Sequence, residues 1–377
     1  NEYIYGDDNI LTGSTFVSST TSSGIELYGN RPGRDIRDLF VWGRNNEGEI
    51  GDGTQVDKDT PVQITSSRWS TISVGMTHTI GIKDNGTLWG WGENFNLATL
   101  GHGITTNEEL KPIRLGTGSK WVRAESGHWF TMVQDENGKL YSWGVNISVQ
   151  LGVGDTSDRS YVSPLFGDSS ASIWIDFSAG SDHSVAVKDD NTLWSWGEND
   201  NYQLGDGTTT NRLFPIQIGT GSDWSKVSAG GEHTLAIKTD GTLWSWGYNF
   251  SGQLGVGSTL TKTTPFQVGT GSDWKEIAAG SSTSFGIKTN GTLWGWGAGY
   301  LGNSLTTTQS LVPTQIGTGS NWIKIETSKG AVLDSQDFSI AIRDIDNDLQ
   351  LWTWGDNLQG QLGDGNSRTD YGIPTRV

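Results

Sequence analysis

Three of the five histidines recur in a fixed local context and are the first residues that could do chemistry. His78, His183 and His233 each precede Ser or Thr and lie nine residues after a tryptophan. Imidazoles in such a setting could bind a metal or transfer protons. Phe130 and Thr283 occupy the same place in two further copies of the pattern. Because a position that accepts Phe must serve packing or hydrogen bonding, we assign these histidines a structural role.

Two other motifs are similar to ligand-binding loops. The run Asp344 to Asp348 resembles the start of a calcium loop, but it lacks the Gly and Glu that such a loop needs at its sixth and twelfth positions. Glycine-rich stretches such as "LGDGT" resemble phosphate cradles, yet they lack the following Lys-Ser/Thr and recur in almost every copy of the pattern. We interpret both as turns. The sequence therefore predicts no catalytic residue, no metal site and no cofactor.

Composition limits the partners of the chain. The 377 residues carry 25 Lys and Arg against 42 Asp and Glu, a net charge of −17. This charge repels nucleic acid, so we expect no nucleic-acid partner. The sequence has no cysteine, and no stretch approaches the roughly 18 apolar residues of a membrane helix, so no membrane insertion is expected. The chain opens at Asn1 with no basic-then-apolar leader, from which we expect a processed chain or a fragment.

The elements that position these residues come from one repeated unit. Trp-Gly occurs seven times at spacings of 49 to 58 residues. These tryptophans are Trp42, Trp91, Trp143, Trp196, Trp246, Trp296 and Trp354. Six units also open with a tryptophan, namely Trp69, Trp121, Trp174, Trp224, Trp274 and Trp322. In five units a further tryptophan stands two residues before Trp-Gly, and Tyr141 replaces it once. Tryptophan is therefore structural in this chain.

Each unit predicts four short strands. "WSKVSAG" forms the first, "HTLAIK" the second, "TLWSWG" the third and a segment such as "PIQIG" the fourth. Asn-Gly at 85–86 and 290–291 indicates hairpins between the second and third strands. The two tryptophans of the third strand lie two residues apart and share one face. We expect this bulky face to pack on a shallow face of the next copy, and seven such antiparallel sheets to form an all-β, seven-bladed β-propeller.

The two ends of the pattern differ from its middle. The last fourth strand, Pro374 to Val377, ends the chain, whereas the N-terminal unit has a third strand, Leu39 to Trp42, without an opening tryptophan. We therefore predict that the N- and C-terminal strands share one closing blade. Residues 1–24 are expected to complete that blade or to form an arm.

The repeat resembles a known family. Gly-x-x-His-Ser/Thr, Leu-Trp-x-Trp-Gly-x-Asn and Gln-Leu-Gly-x-Gly follow one another at a period of about fifty residues, and "WGYNFSGQLGVG" at 246–257 matches most closely. This pattern is similar to the regulator of chromosome condensation repeat family and covers about residues 39–377. The resemblance implies a seven-bladed propeller, here a single domain of residues 1–377. Its members include a nuclear exchange factor for the Ran GTPase and secreted β-lactamase inhibitors.

Departures from the repeat indicate where a partner could bind. Residues 328–337 lengthen the sixth full unit, and the loop at 298–300 is three residues shorter than its equivalents. Aromatic residues stand at 127–130 and in the loops after Trp-Gly. The predicted partner-binding residues are His128, Trp129, Phe95, Tyr202, Tyr248, Phe250, Tyr300, Lys329 and Asp334.

From these observations we predict a non-enzymatic interaction or structural module. We expect a phage virion component or a bacterial surface or secreted protein, located on a virion or outside the cell, that contacts a protein or a surface glycan through its loops. One alternative is a guanine-nucleotide exchange factor for a small GTPase, and another is a secreted enzyme inhibitor. A third is a glycan-active enzyme that uses acidic loop residues.

Overall fold

Every regular element of the described chain is a β-strand. The computed structural model describes residues 39–65, 68–94, 99–103, 108–118, 120–167, 173–304, 308–329, 337–346, 348–366 and 368–377, and the backbone of 15–19 and 23–26. The strands are β1 Thr15–Ser19, β2 Ser23–Glu26, β3 Leu39–Gly43, β4 Lys58–Thr65, β5 Trp69–Val74, β6 His78–Lys83, β7 Leu88–Gly92, β8 Glu109–Arg114, β9 Trp121–Ser126, β10 Phe130–Asp135, β11 Leu140–Gly144, β12 Arg159–Pro164, β13 Trp174–Ala179, β14 His183–Lys188, β15 Leu193–Gly197, β16 Arg212–Gln217, β17 Trp224–Ala229, β18 His233–Lys238, β19 Leu243–Gly247, β20 Lys262–Gln267, β21 Trp274–Ala279, β22 Thr283–Lys288, β23 Leu293–Gly299, β24 Thr308–Gln315, β25 Trp322–Thr327, β26 Phe338–Ile345, β27 Asp348–Gly355 and β28 Tyr371–Arg376.

These strands form four-stranded sheets of four consecutive strands each, which we number 1 to 7 along the chain. Sheets 2 to 7, from β5 to β28, are antiparallel meanders, and each is built from one repeat. The first strands of neighbouring sheets lie side by side around a common axis. The predicted all-β propeller of four-stranded antiparallel blades is therefore confirmed for these sheets.

The hairpins between second and third strands form at the predicted turns. Gly86 adopts a φ of 74°, the left-handed conformation that a tight hairpin turn requires. Its N–H donates to the carbonyl of Lys83 at 2.7 Å. The side-chain oxygen of Asn85 accepts the hydroxyl of Thr87 at 2.6 Å, and the Thr87 oxygen accepts the indole N–H of Trp89 at 2.9 Å. The turn thus orients the first tryptophan of the third strand.

Neighbouring sheets pack face to face, but large and small side chains are distributed over the two faces differently from the prediction. Ala236 lies opposite Trp244 on the tryptophan face of sheet 5. That face packs on Val185 and Val187 of sheet 4, around the fully buried Trp246. The prediction of one bulky and one shallow face is therefore wrong, because the second strand places its small residue beside the tryptophans and its large residues on the opposite face.

The predicted closing blade is also wrong. β28 pairs with β27 in sheet 7, whereas sheet 1 has the order β2-β1-β3-β4. β1 runs parallel to β3, so sheet 1 is mixed. Because the N-terminal segment supplies the two strands that this unit lacks, no place in sheet 1 is left for β28. Sheets 1 and 7 instead meet side by side, where the indole N–H of Trp42 donates to the carbonyl of Gln361 at 3.0 Å.

Among the described residues, the long loop between third and fourth strands accepts an indole hydrogen bond from the next sheet at every seam except that between sheets 6 and 7. In sheet 5 the Asn249 amide donates to the carbonyls of Ser258 and Leu260 at 2.8 and 2.9 Å, and its oxygen accepts the N–H of Leu254. The carbonyl of Gln253 in this loop then accepts the indole N–H of Trp296 from sheet 6 at 2.9 Å. We call a bond of this kind an indole latch. The other five run from Trp42 to Gln361, Trp91 to Glu49, Trp143 to Thr99, Trp196 to Gln150 and Trp246 to Gln203.

Candidate functional site

The first strands enclose a central channel of about 480 Å³. Strand alternation directs the third residue of each first strand toward the axis. In sheets 2 to 7 these residues are Thr71, Arg123, Asp176, Lys226, Glu276 and Lys324, five charged side chains of alternating sign. The channel is therefore lined by a ring in which each charge has an opposite charge beside it.

Ion pairs join the members of this ring. Arg123 donates to Asp176 of the next sheet at 2.5 Å and to Glu125 of its own strand at 3.1 Å. Burial opposes the charge on Arg123, but these two carboxylates raise its pKa above the ordinary value. Lys226 pairs with Glu276 in the same way across sheets 5 and 6. These contacts satisfy the charges internally, which identifies the ring as a means of holding the inner strands together.

Lys329 lies across one mouth of the channel and is 6% exposed. Its Nζ donates to the carbonyl of Ala179 at 3.1 Å and lies 3.7 Å from Glu125. Its carbonyl accepts the hydroxyl of Ser181 at 2.8 Å. Lys329 thus connects the loop after β25 in sheet 7 to sheets 3 and 4 on the far side of the channel. The structure places this predicted partner residue inside the ring, and its role in partner binding stays a prediction.

Sequence reasoning missed the channel. A sequence pattern does indicate it: the residue two positions after each opening tryptophan alternates between Lys or Arg and Asp or Glu from Arg123 to Lys324. It was overlooked because neighbouring charges lie about fifty residues apart in sequence and meet only when the sheets stand side by side.

The buried histidines occupy the seams between sheets. The Nε2 of His78 lies 2.9 Å from the hydroxyl of Thr131 in sheet 3, and His233 makes the equivalent contact with Ser284 of sheet 6 at 2.8 Å. Burial lowers the pKa of His78 to about 3, so the ring is neutral at physiological pH. Among the described residues no three His, Cys, Asp or Glu side chains are grouped so that they could hold a metal ion.

Most of the residues that were predicted to bind a partner lie at one end of the propeller. Antiparallel order brings the connections between first and second strands and between third and fourth strands to the same end of every sheet. We call the end of the molecule that these connections form in sheets 2 to 7, with the β3–β4 loop, the loop face. The predicted residues that it carries are His128, Trp129, Tyr202, Tyr248, Phe250, Tyr300 and Lys329. Phe95 and Asp334 lie outside the described residues.

These side chains differ in accessibility. His128 is buried and its ring lies 5.0 Å from that of the half-buried Trp129. Tyr300 packs against the core between sheets 6 and 7, and its hydroxyl donates to Asp370 at 2.7 Å. Tyr248 and Phe250 stack at 6.4 Å, and Phe250 is 76% exposed. Among the described residues that were predicted to bind a partner, Phe250 is therefore the most exposed.

The loop face is acidic. Its connections contain only three Lys or Arg residues, which are Arg44, Lys329 and Arg368. Carboxylates crowd the junction of sheets 4 and 5, where burial and the charges of Asp182, Asp200 and Glu232 raise the pKa of Glu198 to about 7. Burial and the charge of Glu232 raise the pKa of Asp182 to about 6. The connections of this junction, 180–182, 198–211 and 230–232, contain no Lys or Arg that could pair with these carboxylates.

Comparison with known proteins agrees with this architecture. The family described as the regulator of chromosome condensation (RCC1) repeat matches residues 38–82, 85–134, 137–187, 190–237 and 240–287. The ultraviolet-B receptor UVR8 of Arabidopsis thaliana is 34% identical over 184 residues, which are 47% of this chain and 41% of that protein. The human E3 ubiquitin-protein ligase HERC2 is 28% identical over 207 residues, 52% of this chain and 4% of that protein. The matched part of this chain thus spans less than half the length of either relative.

Solved structures share the fold. The crystal structure of human WBSCR16 superposes with a TM-score of 0.78 at 21% identity, and the match covers 90% of this chain and 94% of the other. Prp20p from Saccharomyces cerevisiae gives a TM-score of 0.78 at 21% identity, covering 90% and 85% of the two chains. No helix of the described residues is long and apolar enough to cross a membrane. Because the repeat matches extend over more than half of its length, the chain belongs to the regulator of chromosome condensation repeat family.

Proposed function

We propose that this protein is a non-enzymatic protein-interaction module in which seven sheets close into a seven-bladed propeller and the loop face contacts the partner. The observation that carries the proposal is the stacked pair Tyr248 and Phe250, held outward on a loop whose backbone is fixed by the buried Asn249. A large exposed aromatic side chain on a rigid loop loses little conformational entropy on binding, which favours such residues as anchors of protein interfaces.

The chemistry of the channel supports a role without catalysis. Its charged side chains pair with one another, as Arg123 does with Asp176 and Lys324 with Glu326 at 3.1 Å. Such pairs hold neighbouring strands together, which accords with a role as a scaffold. One structural relative binds proteins, since yeast RCC1 (Prp20) was solved with Kap60 bound and has binding properties toward Gsp1p and histones. This supports a protein rather than a glycan as the partner here.

We further propose a location on a virion or at the cell surface, as the absence of cysteine and the net charge of −17 led us to expect. Nucleotide exchange on a small GTPase is the second candidate, favoured by the fold that this chain shares with Prp20p. Secreted enzyme inhibition is the third. Nucleotide release from a small GTPase, measured with and without the protein, separates the second candidate from the first, because an interaction module leaves the rate unchanged.

Photo-crosslinking tests the proposed contact surface. A photoreactive amino acid replaces Phe250 on the loop face in one protein and Asp240 in a β18–β19 hairpin at the opposite end in another. After irradiation in an extract of the source, mass spectrometry identifies the linked proteins. We expect one protein to be linked from position 250 and not from position 240. Equal labelling from both positions would contradict the assignment of the loop face.

A further inference from the structure

The loop face contains an apolar sector in sheet 5. We define the apolar sector as Tyr248, Phe250 and Leu260, which lie on the β19–β20 loop. Phe250 and Leu260 are 76% and 69% exposed. The Asn249 side chain bonds to the carbonyl of Leu260 at 2.9 Å, so both ends of this loop are held to the same residue. Residues 248–261 contain no charged side chain, which sets this loop apart from the acidic β15–β16 loop of sheet 4.

An acidic cluster borders the apolar sector on the side of sheet 4. We define the acidic cluster as Asp182, Glu198, Asp200 and Glu232. The N–H of Tyr248 donates to the carbonyl of Glu232 at 2.9 Å, so the sector and the cluster adjoin through the backbone. Glu198 interacts electrostatically with each of the other three carboxylates. Four carboxyl groups therefore lie directly beside the exposed aromatic pair.

The basic side chains near this region already have partners. All of residues 173–304 are described. Within this range, Arg212 forms an ion pair with Asp206 at the start of β16, and Lys262 lies over the ring of Phe266 at 4.2 Å. No Lys or Arg occurs in the connections 180–182, 198–211, 230–232 or 248–261. These connections therefore supply no cation to the acidic cluster, which leaves it open to a basic group of a partner.

We propose that the apolar sector and the acidic cluster together dock a basic protein segment that carries an apolar or aromatic anchor. This inference rests on the proposed function and names the chemical class of the partner. The anchor packs on Phe250 and Leu260, while Lys or Arg residues beside it approach the acidic cluster. Desolvated aromatic contacts supply most of the affinity of such an interface, and the complementary charges accelerate association and select the partner.

The same geometry disfavours a second copy of this chain as the occupant. A twofold dimer places identical patches against each other. Two apolar sectors brought together in this way would bring two acidic clusters together as well, and like charges that face each other across an interface cost several kcal/mol. Phosphate-bearing partners such as nucleic acids meet the same repulsion.

Binding of synthetic peptides to the full chain tests the proposal. The first peptide has twenty residues with one central Trp-Leu pair flanked by lysines, the second has glutamate in place of every lysine, and the third keeps the lysines but replaces Trp-Leu by Ser-Ser. Fluorescence anisotropy at several salt concentrations measures each dissociation constant. We expect the first peptide to bind most tightly, with an affinity that falls as salt rises. Equal binding of the first and third peptides, or tighter binding of the second, would overturn the proposal.

Matched variants show whether the peptide uses this surface. Phe250→Ser removes the anchor contact, and we expect at least a tenfold weaker affinity, about 1.4 kcal/mol. Glu198→Gln with Asp200→Asn lowers the charge of the cluster, which should weaken binding and reduce its salt dependence. The control is Asp223→Asn with Asp240→Asn, which removes two charges at the opposite end. A control that weakens binding as much as the test variant would overturn the proposal.

Failure of this inference is distinguishable from failure of the proposed function. If position 250 crosslinks a protein in the source extract but the linked segment of that protein is neutral or acidic, the basic-segment inference is wrong and the loop face remains the contact surface. If position 250 and position 240 label proteins equally, the proposed function itself is contradicted. A linked segment rich in Lys and Arg around an apolar residue supports both.

Discussion

The indole latches provide a quantitative test of how the ring is held together. Trp246 and Trp354 occupy the same position in sheets 5 and 7, and both are fully buried. The indole N–H of Trp246 donates to the carbonyl of Gln203 in sheet 4 at 2.9 Å. The indole N–H of Trp354 has no hydrogen-bond partner among the described residues. We therefore compare Trp246→Phe with Trp354→Phe, because both remove the same atoms but only the first breaks a latch.

The difference between the two variants follows from hydrogen-bond energetics. Loss of buried ring surface is common to both and cancels in the comparison. Trp246→Phe also loses a buried hydrogen bond, which contributes about 1 kcal/mol. The Gln203 carbonyl still accepts a hydrogen bond from the Thr234 hydroxyl at 2.8 Å, so the variant leaves no buried carbonyl without a partner. Trp354→Phe removes a buried donor that lacks a partner and so relieves at least about 1 kcal/mol. The free energy of unfolding should therefore fall by about 2 kcal/mol more in Trp246→Phe.

Urea denaturation followed by far-ultraviolet circular dichroism measures both free energies without relying on tryptophan fluorescence. Trp196→Phe serves as a second broken latch, since its indole N–H donates to Gln150 at 3.0 Å. We expect its free energy of unfolding to fall by about as much as that of Trp246→Phe. If all three variants lose the same stability within about 0.5 kcal/mol, the latches do not stabilise the ring and the reasoning is refuted.

Three further predictions concern charge and loop structure. Burial raises the pKa of Glu49 to about 7. At Glu49 the native state therefore binds more protons than the unfolded state between pH 4.5 and 7. Thermal denaturation should show the free energy of unfolding falling across this range by up to about 3 kcal/mol more in the unmutated protein than in Glu49→Gln. Lys329→Met removes the contacts with Ala179 and Glu125 and should lower the urea-unfolding free energy by about 2 kcal/mol; an unchanged value would show that this bridge is not stabilising. Asn249→Ala removes three loop hydrogen bonds and should cost about 2 kcal/mol, with faster hydrogen exchange confined to residues 248–261.

The sequence predicted the parts of the fold that depend on local rules. Asn-Gly turns, strand alternation and the period of Trp-Gly are each encoded within one unit, and the strands of sheets 2 to 7 follow them. The closing blade of the ring was mispredicted because it depends on where the N-terminal segment pairs. β1 pairs with β3 in a parallel register that no local sequence pattern predicts. Phe250 was recognised from its departure from the polar loop pattern. The buried position of Lys329 could not be recognised, since its partners Ala179 in sheet 4 and Glu125 in sheet 3 lie about 150 and 200 residues earlier in the chain.

The seam between sheets 6 and 7 combines several departures from the repeat. The loop that follows β23 is three residues shorter than its equivalents, and Tyr300 stands where four of the other loops have Gln. Thr283 replaces the histidine, and its hydroxyl is buried without a partner among the described residues. The hydroxyl of Ser339 in sheet 7 donates to Thr327 of its own sheet at 3.1 Å, whereas that of Ser284 in sheet 6 reaches back to Gln253 at 2.8 Å. The changes at Thr283 and Ser339 each remove a polar contact across this seam, whereas Tyr300 adds its hydrogen bond to Asp370. The inner part of the seam therefore depends more on apolar packing, such as Phe285 against Trp354 at 5.6 Å, and is where the ring should open first when apolar contacts weaken.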